Sequence, residues 1–373
     1  MRNNKIVQGR VHVAGWKVLL HSTILLCLLC TNPLAAQEGR RPHSLAAPAV
    51  KIWDSAPHNA FTDLVQYQKK FFCAFRESAR HVPKSKEDNG RIRVLVSADG
   101  KQWTSFALLS KEGFDLRDPN LSVTADGRLM MLMGGSVYEG GVLSKMKNHV
   151  SFLDRQTKRF SAPEPIVMDA AIQSDHNWLW HLTWQGPAAY GVIYQKAGNT
   201  AGRQLYLVKT EDGINYSLVT RLDQDELANE VAVHFLADLT MVLAVRRDAD
   251  RKDAKKATGQ LGFSKPPYQN WEWQETGIRL GGPELVSLSS GELLLGTRAF
   301  KDSKPYTGIF VLEPSGGFRE LFALPSGGDN SYPGMLVHRN KLWVSYYSSH
   351  EGNARIYLAA LPLKEVKKAM KTK

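Results

Sequence analysis

Apolar residues in this chain come in short alternating runs that pair off across tight turns. Residues 63–67 (DLVQY) turn at 68–70 into 71–75 (FFCAF). Residues 120–123 (NLSV) turn at Ala125-Asp126-Gly127 into 129–133 (LMMLM), and 181–184 (HLTW) turn at Gly186-Pro187 into 190–194 (YGVIY). The pattern returns at 230–235 and 241–245, at 284–288 and 293–296, and at 335–337 and 342–346. Period-two alternation broken by Gly, Asp and Asn predicts β-hairpins. A helical period is visible only in the last ten residues. The units begin roughly 48 to 63 residues apart. Repeats of that length, each with room for four strands, predict an all-β chain folded as a six-bladed β-propeller over about residues 45–364. Residues 49–53 (AVKIW) precede the first unit and are expected to supply the missing outer strand of the last.

One second-hairpin turn carries a further pattern. Ser97-Ala-Asp99-Gly100-Lys-Gln-Trp103 follows an apolar strand and matches the Asp-box, S-x-D-G-x-x-W. The Asp side chain suits backbone N–H groups in the turn, Gly supplies a positive φ, and Trp packs beneath. Thr210–Tyr216 is a degenerate copy, and Ser264–Trp271 a more distant echo. The box marks a fold and has no catalytic role.

The first 36 residues read differently. Arg2, Lys5, Arg10 and Lys17 are basic, no acid precedes Glu38, and residues 18–30 form an apolar run ending in a polar stretch with Leu34-Ala35-Ala36. This is the layout of a secretory signal, cut near Ala36. It predicts an exported protein, periplasmic or extracellular, with residues 37–373 as a single propeller domain and a short basic, solvated tail. The run is short for a membrane anchor, so no transmembrane segment is expected in the mature chain. Removing the leader's four basic residues from a formal charge of +12 leaves +8. That balance suits an anionic partner such as an acidic glycan. Nucleic acid is not expected, and the chain is expected to be a monomer. Cys27 and Cys30 leave with the leader, so Cys73 has no partner for a disulfide and reads as core filling. No His/Cys/Asp cluster has structural-zinc spacing and no phosphate-loop pattern occurs, so neither metal nor cofactor is expected.

Inner strands of a propeller converge on one axis, so residues at equivalent strand ends meet although they lie far apart in sequence. The set predicted at those ends is Asp63, Arg117, Asp118, His181, Glu230, Glu284 and Tyr332, with Arg76, Arg246, Arg298 and Tyr347 closing the second strands. Trp178 offers an aromatic face for a sugar ring. Charged residues in this pattern make either a polar cavity or a paired network that closes the ring.

The chain here resembles the sialidase (neuraminidase) superfamily. The Asp-box carries part of the resemblance. Asn229-Glu230, followed 16 residues later by Arg246, is similar to the family stretch that pairs a glutamate with one arginine of a carboxylate-binding triad. Ser331-Tyr332-Pro-Gly-Met-Leu-Val is similar to its tyrosine motif. The resemblance implies Tyr332 as nucleophile, Glu230 as its activator, and Arg246 and Arg298 as ligands of a substrate carboxylate. A neutral tyrosine suits an anomeric centre that bears a carboxylate, and sialidases are the tyrosine exception among glycosidases. Two features depart from the family. Its opening Arg-Ile-Pro is replaced by Phe61-Thr62-Asp63-Leu64, leaving Arg76 or Arg117 to supply the third arginine. Its acid/base Asp would fall in the loop 77–90, where Asp88 is the only Asp; Asp63 and Asp118 lie nearer the axis. Arg117-Asp118-Pro119 also resembles the Arg-Asp-Pro motif of fructan and arabinan hydrolases. The expected function is an exo-acting glycoside hydrolase of sialidase type on an acidic sugar. A polysaccharide lyase, another glycosidase on the same scaffold, or a glycan-binding propeller are the alternatives.

Overall fold

Each hairpin unit needs a neighbour on both faces, and the chain supplies one by closing a ring. The computed structural model describes residues 45–196, 202–248, 258–314 and 316–372; the leader lies outside these. Six small, mainly antiparallel sheets follow one another along the chain. Their inner strands are His58–Tyr67, Asp115–Val123, Asn177–Gln185, Ala228–Phe235, Glu284–Ser287 and Asn330–His338. The last packs back on the first, giving the six-bladed propeller that the repeat predicts.

Blade six is completed by the start of the chain. Ala49–Trp53 pairs antiparallel with Arg355–Pro362, Val50 opposite Leu358. Leu45–Ala46 adds a short parallel edge to blade five, opposite Phe322 and Ala323. Further bonds tie blade six to blade one. Thr62 Oγ1 donates to the Tyr332 carbonyl at 3.0 Å, Ser345 Oγ donates to Thr62 Oγ1 at 3.0 Å, and Asn59 donates through N and Nδ2 to the Ala354 carbonyl.

The core is divided among the six seams. One apolar cluster fills each, for example Ile92, Val94, Leu116, Met131 and Met133 between blades one and two. Each fully buried side chain of this size contributes about 1.5–3 kcal/mol. Cys73 is wholly buried in the first blade, where burial pushes its thiol up and leaves it inert.

The Asp-box turn folds as its chemistry requires. Asp99 Oδ1 accepts from Lys101 N and Gln102 N, Ser97 Oγ accepts from Gly100 N, and Trp103 Nε1 donates to the Gly100 carbonyl. Asp212 and Tyr216 repeat the arrangement in blade three. The C-terminus differs from the solvated tail expected. Leu363–Lys371 is a helix whose Val366 and Ala369 are buried against the last two blades, with Arg319 donating to the carbonyls of Ala369, Met370 and Thr372. Among the described residues no helix is long and apolar enough to cross a membrane.

Candidate active site

A repeated defect in the inner strands builds the site. In five blades, pairing with the second strand skips two residues: Phe61-Thr62, Asp118-Pro119, Trp180-His181, Asn229-Glu230 and Tyr332-Pro333. In blade five Gly282-Pro283 takes the same place, between Gly281, whose carbonyl accepts from Arg298 N, and Glu284, which pairs with Gly296. Such bulges push a strand out of the ladder and re-aim its side chains. Here all six lie at the same end of the inner strands. Five of them line one narrow cleft, with room of only about 10 Å³, bounded by Phe61, Asp118, Trp180, His181, Gly282 and Tyr332. Phe61, Asp118 and Tyr332 have φ of 60°, 49° and 50°. Non-glycine residues in that region cost of order 1–3 kcal/mol each and gather at functional sites.

Blade four's bulge supplies the carboxylate. Glu230 Oε1 accepts from the Tyr332 hydroxyl at 2.8 Å and from Arg246 Nη1 at 2.6 Å; Oε2 accepts from Gly282 N at 2.9 Å. Arg246 Nη1 also reaches the Tyr332 oxygen at 2.9 Å. Its other nitrogen donates to Asp248 Oδ1 at 3.0 Å, and Arg203 holds the far oxygen of that Asp at 2.9 Å. The Arg298 guanidinium lies 4.9 Å over the Tyr332 ring. Burial pushes the Tyr332 hydroxyl up and Glu230 adds to this, while Arg246 and Arg298 oppose it. A phenol hydrogen-bonded to a carboxylate and flanked by two guanidinium groups is set up to lose its proton to that carboxylate during an attack.

Asp118 is the second ionisable group on the cleft. One of its oxygens is buried with no hydrogen-bond partner among the described residues. Burial, with Glu230 adding and Arg117 opposing, lifts its carboxyl to about 7. A carboxylic acid that keeps its proton near neutrality is suited to general acid catalysis. Opposite it, His181 Nδ1 pairs with Glu284 Oε2 at 2.7 Å and its ring stacks on Trp180. Burial alone would lower the His181 imidazole; Glu284, Asp63 and Asp118 outweigh this and hold it above its ordinary value.

Of the residues expected at the axis, the structure brings Asp118, His181, Glu230, Arg246, Glu284, Arg298 and Tyr332 around this cleft. Arg117 stands at its edge, with its guanidinium 5.7 Å over the Phe61 ring and bonded to Asp115 at 2.7 Å. Arg298 is engaged by the Asn330 carbonyl and the Tyr347 hydroxyl, so it meets Tyr332 through its charge and offers few free donors.

Four expectations are corrected. Asp63 follows its bulge by one position and points into the seam between blades one and two. Its oxygens accept from Leu64 N, Leu121 N and Asn120 Nδ2, so it is a structural carboxylate and not a catalytic one. Arg76 is wholly buried against Asp115 and Ser78 and meets no substrate surface. Trp178 is 3% exposed and packs its ring on Gly134, where a Cβ would stand 2.1 Å away; it is wall, not sugar platform. Tyr347 is also wholly buried, its hydroxyl bound to Asp329 at 2.7 Å. Trp180, which the sequence offers beside His181 as a sugar-stacking edge, does line the cleft; sequence reading missed Phe61 and Gly282. One signal was available: Pro119, Pro283 and Pro333 stand at one register in three inner strands, and proline inside a strand marks a bulge. A larger groove lies off the axis, between loops of blades one and two, and contains none of these groups.

No protein-family model and no curated protein matches the chain. Solved structures do. A Dyadobacter fermentans protein of unknown function is similar with a TM-score of 0.73 at 17% identity, over 86% of this chain and 100% of that one. A Penicillium chrysogenum α-L-arabinanase, solved with arabinobiose, is similar with a TM-score of 0.64 at 14% identity, over 87% of this chain and 99% of that one. Trypanosoma rangeli sialidase in complex with sialic acid follows at 0.62 and 10% identity; 89% of this chain spans 60% of that one. The architecture is therefore the propeller shared by sialidases and arabinan-degrading enzymes.

Proposed function

We propose that the protein is an exo-acting glycoside hydrolase of sialidase type that removes an acidic sugar from the end of a glycan, and that it works outside the cytoplasm. The observation that carries this reading is the Tyr332 hydroxyl donating to Glu230 with Arg246 against both. The basic leader supports export.

In this mechanism Tyr332 Oη bonds to the anomeric carbon while its proton passes to Glu230. The glycosidic C–O bond breaks, and Asp118 gives its proton to the leaving oxygen. Water then attacks the tyrosyl-linked sugar as Asp118 takes the water's proton. Tyr332 leaves and recovers its own proton from Glu230. Both displacements invert the centre, so the product retains its configuration. The sugar carboxylate is met by Arg117, reaching over Phe61 where the family's first arginine is missing, and by the outer face of Arg246.

The test is a panel of aryl glycosides, including a sialoside, a uronide and an arabinofuranoside, with the wild type and Tyr332→Phe. Cleavage of an acidic glycoside that falls by several powers of ten in the variant supports the reading. The raised Asp118 beside Glu230 also suits a carboxylate pair, as in other glycosidases. Cleavage of the arabinofuranoside that Tyr332→Phe leaves intact would establish that second reading and sink the first.

A further inference from the structure

Beside the cleft, three metal-ligating side chains meet that no part of the proposed reaction uses. His58 opens the inner strand of blade one, His81 lies in the loop after its second strand, and Asp329 precedes the inner strand of blade six. His58 Nε2 is 3.0 Å and His81 Nδ1 2.8 Å from the same oxygen, Asp329 Oδ2. All three ligand atoms lie within 4.8 Å of one another. We propose that His58, His81 and Asp329 form a binding site for a divalent transition metal, Zn²⁺ in the first instance, at the seam that closes the ring.

The donor set is two neutral imidazole nitrogens and one carboxylate, which suits zinc and its neighbours and not the all-oxygen shells of calcium or magnesium. Ligands about 2.0–2.2 Å from a tetrahedral ion stand roughly 3.4 Å apart. The two imidazole-to-carboxylate separations reach that with shifts of about half an ångström, the two ring nitrogens lie within 4.8 Å of each other, and His81 sits on an exposed loop that can supply the adjustment. The carboxylate is already oriented as a ligand would be. Its other oxygen, Oδ1, accepts from the Tyr347 hydroxyl at 2.7 Å with Arg298 Nη2 at 3.5 Å, turning Oδ2 towards the two rings. Outer partners of this kind fix the direction of ligating carboxylates.

Two features set the affinity below that of a closed structural site. Arg298 places a positive charge near Asp329, and His58 Nδ1 is buried without, among the described residues, the second hydrogen bond that ligating imidazoles usually make. Three protein ligands also leave a position open. Phe61 makes T-shaped contacts with both the His81 and Tyr332 rings, at centroid distances of 5.3 and 5.1 Å, so the cluster stands one aromatic ring from the Tyr332 side chain. A sugar hydroxyl or carboxylate in the cleft is the class of ligand that would complete it. The site itself does not depend on the glycosidase reading.

The experiment uses the untagged mature protein, stripped with a chelator and titrated with zinc chloride at neutral pH by calorimetry. Melting temperature and the visible absorption of a Co²⁺-loaded sample are read in parallel. We expect one zinc per chain with micromolar affinity, a melting temperature that rises because the ion binds only the closed seam, and cobalt bands in the visible. His81→Ala and Asp329→Asn should each weaken binding by at least about tenfold. His81→Ala removes an exposed side chain and should fold; should Asp329→Asn not fold, His81→Ala alone decides. Absence of saturable zinc binding to the wild type, or undiminished binding in either folded variant, overturns the proposal.

Discussion

Gly282 and Tyr332 lie so close that a Cβ built on the glycine would stand 2.5 Å from Tyr332 Cγ. The same glycine has a φ of 57° and donates its N–H to Glu230 at 2.9 Å. One backbone position in blade five therefore sets both halves of the Tyr-Glu pair contributed by blades six and four.

Gly282→Ala tests this. The new methyl must push the Tyr332 ring aside, because three of its carbons would stand within 2.7 Å. A displacement of about 1 Å in a reacting group can lower turnover about a hundredfold. Stability should fall by about 1–2 kcal/mol from the positive φ. Denaturant unfolding and kcat on the best glycoside from the panel measure the two effects. Unchanged kcat would mean the pair is not the reacting one.

Asp118 predicts a pH limb. Burial first, and Glu230 second, raise its carboxyl to about 7 while Arg117 opposes them. A general acid works only while it holds its proton, so kcat/KM should fall as pH rises through about 7. Asp118→Asn should lose about 10²- to 10⁴-fold on substrates with poor leaving groups and lack that limb. The pH–rate profiles of both proteins are the measurement, and a limb that persists in the variant belongs to another group.

Asp63 is expected to act on stability and not on chemistry. Burial first, then Glu284, lift it to about 6 against the opposing pull of His181 and two backbone N–H groups. Between its ordinary value near 4 and about 6, the folded chain holds more protons here than the unfolded chain. The contribution of Asp63 to stability therefore falls as pH rises through that window. Asp63→Asn turns an amide towards three donors that the carboxylate accepted, which should cost about 1–3 kcal/mol at neutral pH. The cost should grow towards pH 4, where the folded chain keeps the Asp63 proton. Urea titrations across pH 4 to 7 read this directly, and the folded variant should keep its kcat.

The blades, their order and the strand that closes them were legible because each rests on period-two patterning and turn residues. Glu230, Arg246 and Tyr332 were legible through their sequence motifs. Side-chain direction near the axis was not. A two-residue bulge shifts every following residue in the strand relative to its ladder partner, so alternation cannot say whether Asp63 or Phe61 faces the axis. That one offset separates Asp63 in a seam from Asp118 on the cleft. The His58, His81 and Asp329 cluster escaped notice for a different reason: its members come from opposite ends of the chain, and only ring closure brings them together.

That closure has a kinetic meaning. Val50 must find Leu358 across some 300 intervening positions, and joining ends that far apart carries an entropic cost on the order of 5 kcal/mol. Local hairpins have no such hurdle, so the ring is completed late in folding. Tyr332 sits in the last blade, its carbonyl held by Thr62 of the first. A chain whose blades have all formed but whose ends have not met would thus have most of its secondary structure and no working site. Catalytic competence then reports on topology: fraying of a single seam would silence the protein well before circular dichroism registered unfolding.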